Sequence, residues 1–223
     1  MKTIYLVRHG KAESRDIPKE DFKRKLIKQG KKDVLQVVVR MKTQDIHPDL
    51  ILTSPASRAA ATAHICAKHL KYKAKSIKSR KSLYEQGENA LLDCVHGIND
   101  KYNSVMIVGH DPSMTAFVRY LVPDFNESLP ISGVAGIEFN TELWQEISEG
   151  AGVLKLLDHP QPKEKKETIK SRIKVLHNEL TDKYLSALLD MNIPLSDDIE
   201  SIVRKLCRKI ARETIKLQKK SGA

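Results

Sequence analysis

The chain has 223 residues, 40% of them hydrophobic, a length and composition that suit one sizeable domain or a domain with an appendage and supply a real core. No run of 18 apolar residues and no secretory pattern of basic start, apolar stretch and small-residue cleavage site is present, so the reading is a cytoplasmic protein outside the membrane. The net charge of +11 favours anionic partners, but aromatics are only 5% and no RNP, KH or zinc-finger pattern occurs, which argues against nucleic acid.

Thr3 to Arg8 is a short apolar, β-branched run that stops at Gly10, so Arg8-His9-Gly10 falls at the C-terminal end of a predicted strand. Apolar residues Val34, Leu35, Val38 and Met41 recur at helical spacing within Gln29 to Lys42. Leu50 to Thr53 predicts a second strand, ending in Ser54-Pro55, and the alanine-rich stretch from Ser57 to Leu70 a second helix. Ser104 to Val108 predicts a third strand, opening into Gly109-His110-Asp111-Pro112 and a helix from Ser113 to Leu121. Such alternation implies an α/β fold, a three-layer α/β/α sandwich on a mainly parallel sheet. Val134 to Phe139 and Gly152 to Leu157 add strands at or near its edge.

The prolines of His159-Pro160-Gln161-Pro162 mark a boundary. Residues 1–160 form the predicted main domain, and residues 161–223 a basic, all-helical C-terminal extension. The first segment carries 24 basic and 19 acidic side chains and the second 15 and 9, so the tail holds +6 of the net charge in under a third of the length. Its apolar positions need burial, which predicts packing on the main domain, a homo-oligomer formed through the C-terminal helices, or binding to an acidic surface. Cys66, Cys94 and Cys207 are odd in number and lack CxxC spacing, so they read as buried free thiols.

Three strand ends deliver residues suited to phosphate: Arg8-His9, Ser54 to Arg58, and Gly109-His110. In a parallel sheet these ends share one edge, where such sheets bind ligands. Two guanidiniums can grip a phosphoryl group through charge-assisted, often bidentate hydrogen bonds. His9 and His110 can supply a nucleophile and a further donor. One nitrogen of a neutral His9 can attack phosphorus while the other donates to a backbone carbonyl that fixes the tautomer. No acidic cluster resembles a magnesium site, and no metal or cofactor is expected.

Arg8-His9-Gly10, Ser54-Pro55-x-x-Arg58-Ala59-x-x-Thr62-Ala63 and Gly109-His110 resemble, in this order, the histidine phosphatase superfamily. Arg8-His9-Gly10-Lys11-Ala12, Leu83-Tyr84-Glu85 and Val108-Gly109-His110-Asp111-Pro112 resemble more narrowly its SixA-type phosphohistidine phosphatases. The likeness spans about residues 1–160 and leaves out the tail. It implies a transient phosphohistidine at His9, hydrolysed by water, with Arg8, Arg58 and His110 around the transferring group, and Gly10 and Ser54 beside the substrate. Glu85 matches the position of the acid that protonates the leaving group. An imidazole, with a pKa of about 6.5, leaves far more readily than an alkoxide, so Glu85 is expected to matter for phosphate esters and much less for phosphohistidine. Asp111 reads as a helix cap. The substrate implied is phosphohistidine on a signalling protein, with a small phosphorylated metabolite as the alternative and phosphoprotein binding without turnover as a third reading.

Overall fold

The computed structural model describes residues 1–84, 88–161 and 169–221. The chain forms two compact units, Met1–Gln161 and Pro162–Ala223. The first is a six-stranded sheet of β1 (Lys2–Arg8), β2 (Leu50–Thr53), β3 (Lys78–Ser79), β4 (Ser104–Gly109), β5 (Val134–Phe139) and β6 (Val153–Asp158), in the order β3-β2-β4-β1-β5-β6. β3, β2, β4 and β1 pair in parallel, whereas β5 runs antiparallel to both β1 and β6. The sheet is therefore mixed, with its parallel part at the strand ends that matter.

Helices cover both faces. On one side, α1 (Lys28–Thr43) and α2 (Ser57–His69) pack Val34, Val38, Met41, Ala59 and Ala63 against Val7, Ile51 and Val108. On the other, α3 (Glu88–His96) and α4 (Ser113–Leu121) pack Leu91, Val95, Phe117 and Leu121 against Ile4, Leu6 and Ile107. The pleat explains the division, because alternate residues of β1 point to opposite faces. Ala59, Ala63 and Ala67, four residues apart on α2, are fully buried, and such small side chains let the helix lie close to the sheet. On α1 the buried stripe runs through Val37, while Leu35 is 37% exposed and lies outside it, since position 37 and not 35 faces the sheet. β3 and α3 have no counterpart in the sequence reading. Arg40 of α1 grips Asp158 at the end of β6 through two bonds of 2.8 Å.

The second unit is a hairpin of α5 (Ile169–Asp190) and α6 (Asp197–Ser221). Just past the end of α5, Asn192 has a φ of 58° in the left-handed region, while the N–H of Ile193 reaches back to the carbonyl of Leu188. α6 starts from Ser196, whose hydroxyl accepts from the N–H of Ile199, and Asp197, Asp198 and Glu200 complement the helix dipole in its first turn. Thr181, Cys207 and Ala211 are buried and His177 Nε2 donates to the carbonyl of Arg204 at 3.1 Å. The three cysteines are free thiols, with Cys66 and Cys207 buried and Cys94 half-buried. Among the described residues no helix is long and apolar enough to cross a membrane.

Candidate active site

Arg8 and His9 leave the end of β1, Ser54 leaves β2, Arg58 lies in the first turn of α2 and His110 follows β4. Because β2, β4 and β1 are adjacent and parallel, their C-terminal ends converge, and residues far apart in sequence meet. The His9 and His110 rings stand 5.0 Å apart between centroids. Glu85 lies outside the described residues.

His9 is defined at both ring nitrogens. Nδ1 donates to the carbonyl of Gly10 at 2.8 Å, and Nε2 accepts from Nε of Arg58 at 3.2 Å. Those partners require a neutral ring with its proton on Nδ1 and its lone pair on Nε2. Electrostatics agree: burial first, then the guanidiniums of Arg58, Arg8 and Arg24, lower the His9 pKa to about 4, against the raising effect of the Gly10 bond. His110 is lowered further, to about 3, again by burial first and then by Arg58. Both imidazoles are therefore neutral at neutral pH.

Gly10, expected beside the substrate, has both backbone groups engaged inside the protein. Its N–H donates to Thr62 Oγ1 at 3.0 Å and its carbonyl holds His9. A Cβ here would come within 2.8 Å of Val34 and 3.0 Å of the Gly30 carbonyl. The glycine thus positions the imidazole by bringing the loop hard against α1. Ser54, also expected at the substrate, is fully buried, and its hydroxyl lies 2.8 Å from His110 Nε2.

Arg58 is 4% exposed and is held by Asp21, which no motif in the sequence singles out. Its Nη1 donates to the carbonyl of Asp21 at 2.6 Å and its Nη2 to the carboxylate at 2.7 Å. The same carboxylate accepts from Arg24 Nη1 at 2.6 Å and from the Tyr84 hydroxyl at 3.2 Å. Burial alone would raise the Asp21 pKa, but Arg58, Arg24 and Tyr84 outweigh it and hold the acid below its ordinary value. Asp21, Arg24 and Tyr84, with Arg15 and Lys19, line a cavity of about 430 Å³.

Arg8 donates from Nη1 to the carbonyl of Leu129 at 2.9 Å, and Asp111 stands 3.5 Å from the same nitrogen. Asp111 accepts from the Thr115 hydroxyl, whereas the N-cap of α4 is Pro112 and makes no side-chain capping bond. Asp111 therefore ties α4 to Arg8 and does not serve as the cap that its place in the sequence suggested. Among the described residues no three His, Cys, Asp or Glu side chains gather as metal ligands. What the arrangement offers is a neutral imidazole whose Nε2 lone pair is held only by Arg58 Nε, with the guanidiniums of Arg8, Arg58 and Arg24 and a second neutral imidazole close by. Such a set can attack an electron-poor phosphorus and stabilise the charge that spreads over its oxygens.

Residues 4–91 match the model of the histidine phosphatase superfamily (branch 1). No match was found among curated proteins. Among solved structures, the chain is similar to the putative phosphohistidine phosphatase SixA from Agrobacterium tumefaciens, at 23% identity and a TM-score of 0.60 over 72% of this chain and 99% of that one. A putative SixA from Nakamurella multipartitia gives 20% identity and a TM-score of 0.61 over 72% and 97%. A phosphoserine phosphatase from Entamoeba histolytica gives 16% and 0.53 over 72% and 98%. At these identities the likeness is one of fold.

Proposed function

We propose that this chain, whose residues 4–91 match the histidine phosphatase superfamily, is a phosphatase that removes phosphate from phosphohistidine on a protein through a covalent intermediate at His9. The observation that carries the mechanism is the fixed tautomer of His9, with Nδ1–H on the Gly10 carbonyl and the Nε2 lone pair toward Arg58. Nε2 attacks phosphorus; the new N–P bond forms as the bond to the leaving group breaks. Arg8, Arg58 and His110 stabilise the charge on the phosphoryl oxygens. A water molecule then attacks the phosphohistidine, inorganic phosphate departs and the lone pair returns to His9.

The leaving group favours phosphohistidine. Among the described carboxylates, which do not include Glu85, Asp21 is bonded to Arg58 and Arg24, which hold it below its ordinary pKa and make it a poor proton donor. A departing imidazole tolerates that; an alkoxide does not. The fold shared with the SixA proteins of Agrobacterium tumefaciens and Nakamurella multipartitia supports the same reading. A small phosphorylated metabolite is the second reading, favoured by the 430 Å³ cavity, a size that suits a small molecule.

The test is a substrate panel of a phosphohistidine phosphotransfer domain, sugar phosphates and phosphoserine, with His9→Ala as control. The expected result is phosphate release fastest from the phosphotransfer domain and none in His9→Ala. Undiminished release by His9→Ala overturns the mechanism, and preference for a small ester overturns the substrate.

A further inference from the structure

The helical hairpin has a groove of about 590 Å³, lined by Ile173, Lys174, His177 and Asn178 of α5 and by Arg208 and Arg212 of α6. Three permanent cations from two helices converge on it. Arg208 and Arg212 are four residues apart and so share one side of α6, a like-charge spacing that destabilises a helix when nothing neutralises it. One turn earlier Arg204 closes on Glu200 at 3.3 Å. Among the described residues Lys174, Arg208 and Arg212 close no such ion pair, and Arg208 also lines a neighbouring pocket with Asp197, Glu200 and Arg204. His177, pinned to the Arg204 carbonyl at 3.1 Å, fixes an imidazole in the groove wall.

We propose that this groove binds a small phosphate-bearing anion, with Arg208 and Arg212 gripping the phosphate oxygens from α6 and Lys174 closing from α5. The guanidinium fork matches phosphate geometry, and Lys174 adds a point charge. Volume selects the size of the ligand: pockets of roughly 300–1,000 Å³ hold small molecules. Ile173 and the aliphatic stems of the cations give an apolar floor, which accommodates a nucleotide as readily as a bare phosphate chain.

Calorimetric titration of the full chain at low salt, with inorganic triphosphate and separately with ATP, tests this. Two sites are expected, because the pocket at His9 also takes phosphate. The double variant Arg208→Gln/Arg212→Gln should weaken one site by at least about tenfold, keep the other and leave phosphatase turnover unchanged. Arg58→Gln should do the reverse to binding. Tighter binding of ATP than of triphosphate identifies a nucleotide, and equal binding a phosphate chain; both support the site. An unchanged two-site isotherm in the double variant, or a single site in the wild type lost with Arg58→Gln, overturns it. Tighter binding of a hexaglutamate peptide than of either phosphate at this groove overturns the ligand class. Arg208→Lys/Arg212→Lys, which keeps the charge and removes the fork, should retain part of the affinity and guards against misfolding of the double variant.

Discussion

The Ser54 hydroxyl lies 2.8 Å from Nε2 of His110, joining the end of β2 to the residue that follows β4. Ser54 Oγ also accepts the N–H of Ala56 at 3.3 Å, so its own proton is free to go to His110. That bond leaves His110 protonated on Nδ1, a buried nitrogen with no partner among the described residues. An unsatisfied buried donor costs about 1–3 kcal/mol, a cost that a phosphoryl oxygen relieves by accepting from it. Ser54→Ala should therefore lower kcat/KM by roughly ten- to a hundredfold, an effect of about 1.4–2.7 kcal/mol, by freeing the tautomer of His110. Ser54→Thr, which restores the hydroxyl, should recover part of the loss. Wild-type kcat/KM in Ser54→Ala would refute the assignment.

The depressed imidazoles make stability depend on pH. In the folded chain His9 titrates at about 4 and His110 at about 3, burial being the main cause in both. In the unfolded chain each titrates at about 6.5. Below that value the unfolded state takes up protons that the folded state refuses, so stability falls as pH drops from about 6.5 toward 4. The slope approaches about 1.4 kcal/mol per pH unit for each histidine. Denaturant unfolding at pH 7 and pH 5 should show the loss, and His9→Asn should make it shallower. Equal pH dependence in wild type and variant contradicts the shift at His9.

Asp21 aims Arg58. With its carbonyl and carboxylate it takes both terminal nitrogens, which leaves Nε as the Arg58 donor facing His9. Asp21→Asn keeps an oxygen for one of those bonds but removes the charge. The expected outcome is a split: kcat falls about tenfold as Arg58 loosens, while inhibition by inorganic phosphate tightens because an anion has left the pocket. Steady-state kinetics with phosphate as inhibitor check both halves. A fall in kcat with weaker phosphate inhibition would mean instead that Asp21 merely supports the fold.

The strand ends were legible because three short apolar runs each stop at a polar residue, and α1, α2, α4 and the tail helices because apolar residues or alanines recur at helical spacing. β3 was not, since Lys78–Ser79 is two exposed polar residues with no pattern to detect. Asp21 and Arg24 sit in a polar segment without periodicity, and only the folded chain brings Arg58 to them from 37 residues away. Gly10 and Ser54 were placed at the right end of the sheet, but what they hold inside the protein was not legible. Their partners, Thr62 and His110, lie 52 and 56 residues distant, beyond the reach of local reasoning.

The backbone around His9 is secured by chain that comes much later. Arg8 N–H donates to the carbonyl of Gly133, Ser132 N–H to the carbonyl of His9, and the Arg8 guanidinium to Leu129. β5 then covers the flank of β1 from Val7 to Lys2. His9 precedes in the chain every part of the clasp that aims it, which is not complete until residue 139. A fragment ending before Leu129 would carry His9, Arg58 and His110 without the closure that sets them.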